Sequence, residues 1–288
     1  MTPPALTTPV ATEALPFTLD SETGIVSLGS CFADEVARRL ADGGFRVEAN
    51  PFGTLYNPAS LAAALDRLMD CREVEAADLV QHEGLWHSWH HHGSFSRPDS
   101  AECLAACNAR IRQAHRALSQ AGLLLVTFGT AWVFEREGRV VANCHKLPPQ
   151  QFVRRRMEVA EIAGLWLPLI RRLQAFNPQL RLLFTVSPVR HKADGAHGNQ
   201  LSKAALLLAV EELCAESAPV AAYFPAYEIV LDELRDYRFF GPDMMHPSPL
   251  AVEVVYDRFC RSCMSPATLQ QAHNASKAAR RAQHVPLH

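Results

Sequence analysis

A chain of 288 residues suits one large domain or two small ones, at roughly 100–200 residues per domain. Its 48% hydrophobic content excludes disorder over the whole length. Lys+Arg 28 against Asp+Glu 30 gives a net charge of −2, which lacks the basic excess of a general nucleic-acid binder. No basic residue precedes Arg38, so no secretory leader is expected. The longest hydrophobic stretches, such as Ala204–Val210, are too short for a membrane span. Eight cysteines in this length do not make a disulfide scaffold, and a cytoplasmic protein with reduced thiols is the expectation.

In chain order, residues 1–23 hold four prolines and no basic residue, and are expected to form an extended arm. Gly24–Gly29 is a short apolar run expected to be a buried strand. Phe32, Val36 and Leu40, with Ala33 and Ala37, mark one face of a helix that Asp42-Gly43-Gly44 stops. Phe45–Ala49 alternates like a second strand. Asn57-Pro58 caps a helix with a Leu61, Leu65, Leu68 face. Large side chains alternate over residues 85–92, as in a strand or extended loop. Asp99-Ser100 opens a long helix to about Ser119, and Leu123–Phe128 is the clearest buried strand.

Residues 133–134 and 139–141 read as a hairpin around Glu137-Gly138. Val159–Phe176 is helical in pattern, with Pro168 inside it. Leu180–Val186 is a further buried strand. Asn199–Ser217 is a helix expected to turn Leu201, Ala204, Ala205 and Leu208 inward, and Val220–Phe224 is a short strand. Ser248-Pro249 caps a helix whose stripe is Val252, Val255, Tyr256, Phe259 and Cys263. Residues 265–288, with Lys277, Arg280 and Arg281 and no acid, are expected to be a loose basic tail. Strands alternating with helices give an α/β class with a mainly parallel sheet, and one domain over residues 24–264.

Two pieces of sequence carry chemistry. Gly29-Ser30 ends the first strand, so a hydroxyl is expected at the carboxyl edge of the sheet, beside N–H groups of a helix N-terminus able to stabilise an oxyanion. Asp243 and His246 stand three apart in one turn, near enough for the carboxylate to hold one imidazole nitrogen while the other serves as a general base. Each piece alone also fits a plain structural turn. Together, at the two ends of one α/β unit, they suggest a nucleophile and its base.

The string Gly29-Ser30-Cys31-Phe32-Ala33 resembles the signature of the GSCFA domain family, which is similar to the SGNH/GDSL-type serine hydrolases. Further blocks that look family-like are Asn50–Thr54, His91–Ser96, Phe128–Trp132, Asn143–Lys146, Ser187–His191 and Asp243–Pro247. The resemblance spans about Ile25 to Cys263. It implies a three-layer α/β/α, flavodoxin-like fold and a Ser-His-Asp site with Ser30 as nucleophile, His246 as base and Asp243 as its orienter. It implies an esterase or O-acyltransferase acting on a small or glycan-linked acyl ester, and no cofactor. SGNH-type enzymes complete the oxyanion hole with a glycine N–H and an asparagine amide. Gly53 fits the first role. Gly129-Thr130 stands where a Gly-x-Asn is expected, but position 131 is Ala, which leaves Thr130 or Asn143 as the third donor.

Other residues offer rival readings. Cys31 could be a thiol nucleophile, but the residue after the elbow is expected to point into the helix–sheet packing. His87, His90, His91 and His92, with His82, look like metal ligands by composition, yet no nearby Cys or carboxylate pair completes a zinc set. Cys260/Cys263 and Cys103/Cys107 lack a second pair. His145, Lys146, Arg190 and His191 sit in loops after strands and would form a cationic rim suited to an anionic substrate. Arg154-Arg155-Arg156 reads as a solvated charge run. A binding module on the same fold, without turnover, is the alternative from another class.

Overall fold

The structure is a computed structural model and describes residues 7–283. Five parallel strands form the central sheet: β1 (Gly24–Gly29), β2 (Arg46–Ala49), β5 (Leu123–Phe128), β9 (Arg181–Val186) and β10 (Ala221–Tyr223). Their spatial order is β2-β1-β5-β9-β10. Chain order therefore reverses between β1 and β5, and such a switch point opens a crevice at the carboxyl ends of the strands. The register sets Gly29 beside Thr127, and Thr127 beside Thr185, so the loops after β1, β5 and β9 leave the sheet side by side.

Alternation along the strands supplies both faces. Leu124, Val126 and Phe128 of β5 join Leu182, Phe184 and Val186 of β9 under α2 (Pro58–Met69), α3 (Ser100–Gln120), α4 (Val159–Phe176) and α5 (Gly195–Glu216). Leu123, Leu125 and Leu183 point the other way, against α1 (Cys31–Asp42), α7 (Pro249–Cys263), α8 (Pro266–Gln283) and the α6 turn (Ala226–Glu228), which continues as a π-turn over Ile229–Leu234. The protein is thus α/β with a parallel sheet between two helical layers. The caps fall where the sequence places them: Asn57 accepts from Ser60 N (2.8 Å), Asp99 from Glu102 N (2.9 Å) and Ser248 from Ala251 N (3.3 Å).

Two small antiparallel units decorate this frame. β3 (Leu79–His82) pairs with β4 (Leu85–Ser88). β6 (Trp132–Arg136), β7 (Arg139–Val141) and β8 (Val153–Arg156) form a three-stranded sheet with β6 in the middle.

Four expectations need correction. The arginine run is strand β8, not a bare solvated face: Arg154 lies over the Trp132 ring (4.2 Å) and pairs with Asp194, and Arg155 forks onto Glu161. Leu201, Ala204 and Leu208 of α5 are exposed and only Ala205 of the expected face is buried; the face turned to the sheet includes Ser202, Lys203, Leu206, Ala209, Val210 and Leu213. The extended reading of residues 85–92 ends at Ser88, after which the chain turns. The C-terminal segment is helix α8 over Pro266–Gln283, with Ala272 buried against the α1 layer; residues 284–288 lie outside the described residues. The described part of the N-terminal arm is tied to the end of α7, with Leu15 N donating to Ser262 O and Leu19 N to Cys263 O.

Candidate active site

The loop between the sheet and α7 carries the Asp–His pair. His246 Nδ1 donates to Asp243 Oδ2 at 2.5 Å, and Asp243 Oδ1 accepts from the Met245 and His246 N–H groups (2.9 and 3.0 Å). These three bonds hold the Asp243 carboxyl well below the usual carboxylate range, the His246 contact contributing most. With Nδ1 spent on the carboxylate, the other ring nitrogen, Nε2, is left to accept a proton. Gly241 N donates to His246 O (2.7 Å) and Arg190 N to Met245 O (3.2 Å), which fasten the loop to itself and to the loop after β9.

Ser30 is the N-cap of α1, held by a turn that needs Gly29. Gly29 sits at φ +151°, and a Cβ there would come within 2.4 Å of the Thr127 carbonyl. Its N–H donates to the buried Asn50 Oδ1 (2.8 Å), and Asn50 Nδ2 donates to Asp34 Oδ1 (2.6 Å), tying β1, β2 and the first turn of α1 together. Ser30 is only 1% exposed, and its hydroxyl oxygen is buried without a hydrogen-bond partner among the described residues. Its Cβ lies beside Gly129, where an added methyl would meet it at 3.4 Å.

This reverses the expected orientation of the elbow: Cys31, not Ser30, lines the cavity. Burial, with Asp34 adding to it, pushes the Cys31 thiol pKa up, so it is a poor thiolate at neutral pH.

The cavity has a volume of about 640 Å³ and is bounded by Cys31, Tyr56, Thr130, His191, Met245 and His246 on one side. The other side is the β6–β8 sheet with the segment that joins β7 to β8, including Trp132, Phe134 and Phe152. Of the remaining sequence-predicted residues, Asn143 and Arg190 line it, while Gly53, Gly129, His145 and Lys146 do not. Gly53 N donates to Asn50 O (2.7 Å) and Gly129 N to Tyr56 O (2.7 Å), so neither N–H is free as an oxyanion donor. Gly53 is engaged within its own turn, whereas Gly129 is engaged by the segment between β2 and α2 that packs against it. Thr130 Oγ1 bonds Ser202 Oγ (3.0 Å), and Asn143 Oδ1 accepts from His145 N (2.8 Å).

The cationic rim is also altered. Lys146 is exposed and away from the cavity. Burial pushes the His191 pKa down to about 4, so that ring is neutral at pH 7. The Arg190 guanidinium stacks on Phe240 at 4.2 Å. His145 is buried, stacked on His87 (4.5 Å), and its pKa is likewise pushed down to about 4 by burial.

The histidine run spreads to separate partners. His87 bonds Ser96, His91 bonds Ser88, His92 bonds Ser94, and His90 faces Arg67 and Asp78. Among the described residues, no group of three or more His, Cys, Asp or Glu is arranged to hold a metal ion.

Sequence reasoning missed Lys203. It is 1% exposed, and its Nζ donates to Gly129 O and Ser187 O, both at 2.6 Å. One ammonium therefore ties the loop after β5 to the loop after β9, at the same Gly129 beside which Ser30 Cβ lies. Burial pushes its pKa down to about 7, against two short bonds that favour the charged form. Its neighbour Ser202 bonds Thr130 Oγ1 and accepts from Ala131 N (2.8 Å), pinning the same loop. The available signal was helical phase: Asn199, Ser202, Lys203 and Leu206 share a face at spacings of three and four.

A family model described as GSCFA family matches residues 24–259. No curated protein matches the sequence. Solved structures that resemble the fold include a protein from Streptococcus pneumonia described as a platelet activating factor (11% identity, TM-score 0.41, 84% of this chain and 82% of that one). Others are a GDSL-like lipase from Parabacteroides merdae (10%, 0.41, 86% and 98%) and a carbohydrate esterase family 3 protein from Talaromyces cellulolyticus (8%, 0.39, 88% and 99%). At these identities and TM-scores no residue correspondence follows from them. Among the described residues no helix is long and apolar enough to cross a membrane.

Proposed function

Since the chain belongs to the GSCFA family, we propose that it is a serine-dependent carboxylic-ester hydrolase or O-acyltransferase built on Ser30, His246 and Asp243. The observation that carries this reading is the Asp243–His246 pair at 2.5 Å, set on the wall of the cavity at the carboxyl end of the sheet. Asp243 fixes the tautomer, so that Nε2 is the basic nitrogen, and it stabilises the imidazolium once a proton arrives.

On this reading Ser30 Oγ attacks the ester carbonyl, His246 takes the hydroxyl proton, and the same proton then goes to the departing alcohol. Water or a second alcohol attacks the acyl-enzyme by the reverse route, which is why hydrolysis and transfer share one site. The buried, unpartnered Ser30 oxygen supports a functional role, because a hydroxyl left without a hydrogen bond costs roughly 1–3 kcal/mol. Ser30 and His246 share no hydrogen bond here; such contacts are often long before substrate binds and tighten in the complex. With the Gly53 and Gly129 N–H groups engaged, and the Ser30 and Ala33 N–H groups donating to Thr127 O (3.3 Å) and Ser30 O (2.8 Å), the oxyanion falls to the Cys31 and Phe32 N–H groups at the start of α1.

The test is labelling by a fluorophosphonate and turnover of p-nitrophenyl acetate. Both are expected in the native protein and both should vanish in Ser30→Ala. Labelling that persists unchanged in that variant sinks the reading. A second reading, a binding module without turnover, is favoured by the engaged glycine N–H groups and the Ser30–His246 gap. It prevails if no ester is hydrolysed at any acyl length while an acyl or glycan ligand raises the melting temperature.

A further inference from the structure

We propose that the cavity wall built by β6, β7 and β8 binds a hydrophobic chain longer than acetyl, the apolar group of the ester substrate. The identity of that group as part of an ester rests on the hydrolase reading; the binding of the chain does not. Trp132, Phe134, Val141, Leu147 and Phe152 all face the cavity from this unit. Phe134 is 37% exposed, an aromatic ring kept at the surface of the cavity although the central core lies elsewhere. Phe152 meets it edge-on at 6.3 Å, and the two rings form one continuous apolar face.

Most polar side-chain groups around this face are already engaged by the protein; Trp132 Nε1 and His191 Nε2 are buried there without a partner among the described residues. Asn143 Oδ1 accepts from His145 N, Thr130 Oγ1 bonds Ser202, and Asn57 Oδ1 accepts from Ser60 N. The Arg154 charge is met by Asp194 while its plane covers Trp132. A sugar needs many free hydrogen-bond partners, more than these two nitrogens offer, and an anion needs an unpaired cation, whereas Arg154 of this wall is paired, so the wall suits neither. A hydrocarbon chain needs only apolar surface. The volume of about 640 Å³ lies within the roughly 300–1,000 Å³ typical of pockets that enclose small organic ligands.

The chain could come from the acyl or the alcohol side of the ester, and two series separate these. One runs p-nitrophenyl esters from acetate to decanoate; the other runs hexyl, octyl and decyl acetates followed by acid release. In one series kcat/KM should rise by about fourfold per added methylene while the chain stays inside, the equivalent of ~0.8 kcal/mol each. Phe134→Asp, and the milder Phe152→Ala, should cut the long-to-short ratio of that series, octanoate over acetate or decyl over hexyl acetate, at least about tenfold. Flat or falling kcat/KM in both series overturns the inference.

If no ester is turned over, the hydrolase reading fails and the chain is tested directly. Octanoate and octanol are titrated into the native protein and into Phe134→Asp, with tryptophan fluorescence as the signal. Saturable binding that is weakened at least about tenfold in the variant supports the inference. Absence of saturable binding, or equal binding to both proteins, refutes it.

Discussion

Replacing Lys203 with Met keeps an unbranched chain in the same space and deletes only the nitrogen. Two buried carbonyls, Gly129 O and Ser187 O, then lose their donor. At roughly 1–3 kcal/mol for each unsatisfied group, the loss would be ~2–6 kcal/mol. Removing a buried ammonium opposes this at low pH, because the wild-type protein must carry that charge out of water. The sign follows from linkage. The folded pKa, about 7, is below the ordinary lysine value of 10.5, so between those values the unfolded chain binds the extra proton and wild-type stability rises with pH. The neutral amine still has two N–H groups for the two carbonyls. The advantage of wild type over Lys203→Met should therefore grow between about pH 7 and pH 10.5. Thermal unfolding of both proteins across that range measures it, at about 2 °C per kcal/mol for a chain of this size. A variant as stable as wild type at pH 9.5, or a stability gap that does not change between pH 6.5 and 9.5, would refute the reasoning. Ester turnover should fall as well, since the loops after β5 and β9, the first of which lies beside Ser30, lose their common tie.

Other outcomes are equally definite. Asp243→Asn should lower kcat by about 10³–10⁴-fold with little change in melting temperature, because the pair sits on an exposed loop and the amide misdirects the imidazole; an activity loss under tenfold removes Asp243 from the mechanism. Gly29→Ala should destabilise by roughly 3 kcal/mol or more, since its Cβ would overlap the Thr127 carbonyl and φ +151° is hostile to an L side chain; chemical denaturation reads the cost. Stability should start to fall as pH drops below about 6.5 and continue toward 4, because His145 and His191 are buried neutral and the unfolded chain takes up their protons first. His145→Gln should flatten part of that slope in a melting-temperature series. Iodoacetamide should modify Cys31 slowly at pH 7, its thiol pKa being raised by burial and by Asp34, and reaction as fast as a free thiol contradicts that environment.

The frame was legible because each strand and helix announces itself by period and punctuation. Leu123–Phe128 is apolar at every position but Thr127, and Asn57-Pro58 and Ser248-Pro249 are caps whose bonds form as the letters suggest. The Asp243–His246 contact was equally readable, since a separation of three in a tight turn leaves few alternatives. What escaped depends on long-range partners. The phase of α5 was misjudged because Leu201 and Leu208 look like core, yet the buried face is the one that packs Leu206, Ala209, Val210 and Leu213 and carries Lys203 to carbonyls at the ends of β5 and β9. The arginines of β8 looked like a solvated run because nothing local signals that Trp132 and Asp194 wait for Arg154. Gly53 and Gly129 carry the right letters for open donors, but whether an N–H is free depends on which carbonyl the fold brings to it, Asn50 O from the same turn for Gly53 and Tyr56 O from a distant segment for Gly129.

The three-stranded wall enters the chain as one continuous stretch, residues 132–156, between β5 and α4. It contributes no strand to the central sheet, whereas Ser30, Asp243 and His246 are held by β1, α1 and the loop before α7. Substitutions, insertions or even replacement of that stretch would thus redraw what the cavity accepts while leaving the proposed reactive groups on untouched supports. If the proposals hold, selectivity and chemistry rest on separate parts of the chain, and exchanging the segment with Val133, which packs in the main core, retained is a direct way to change preference without moving the reactive groups.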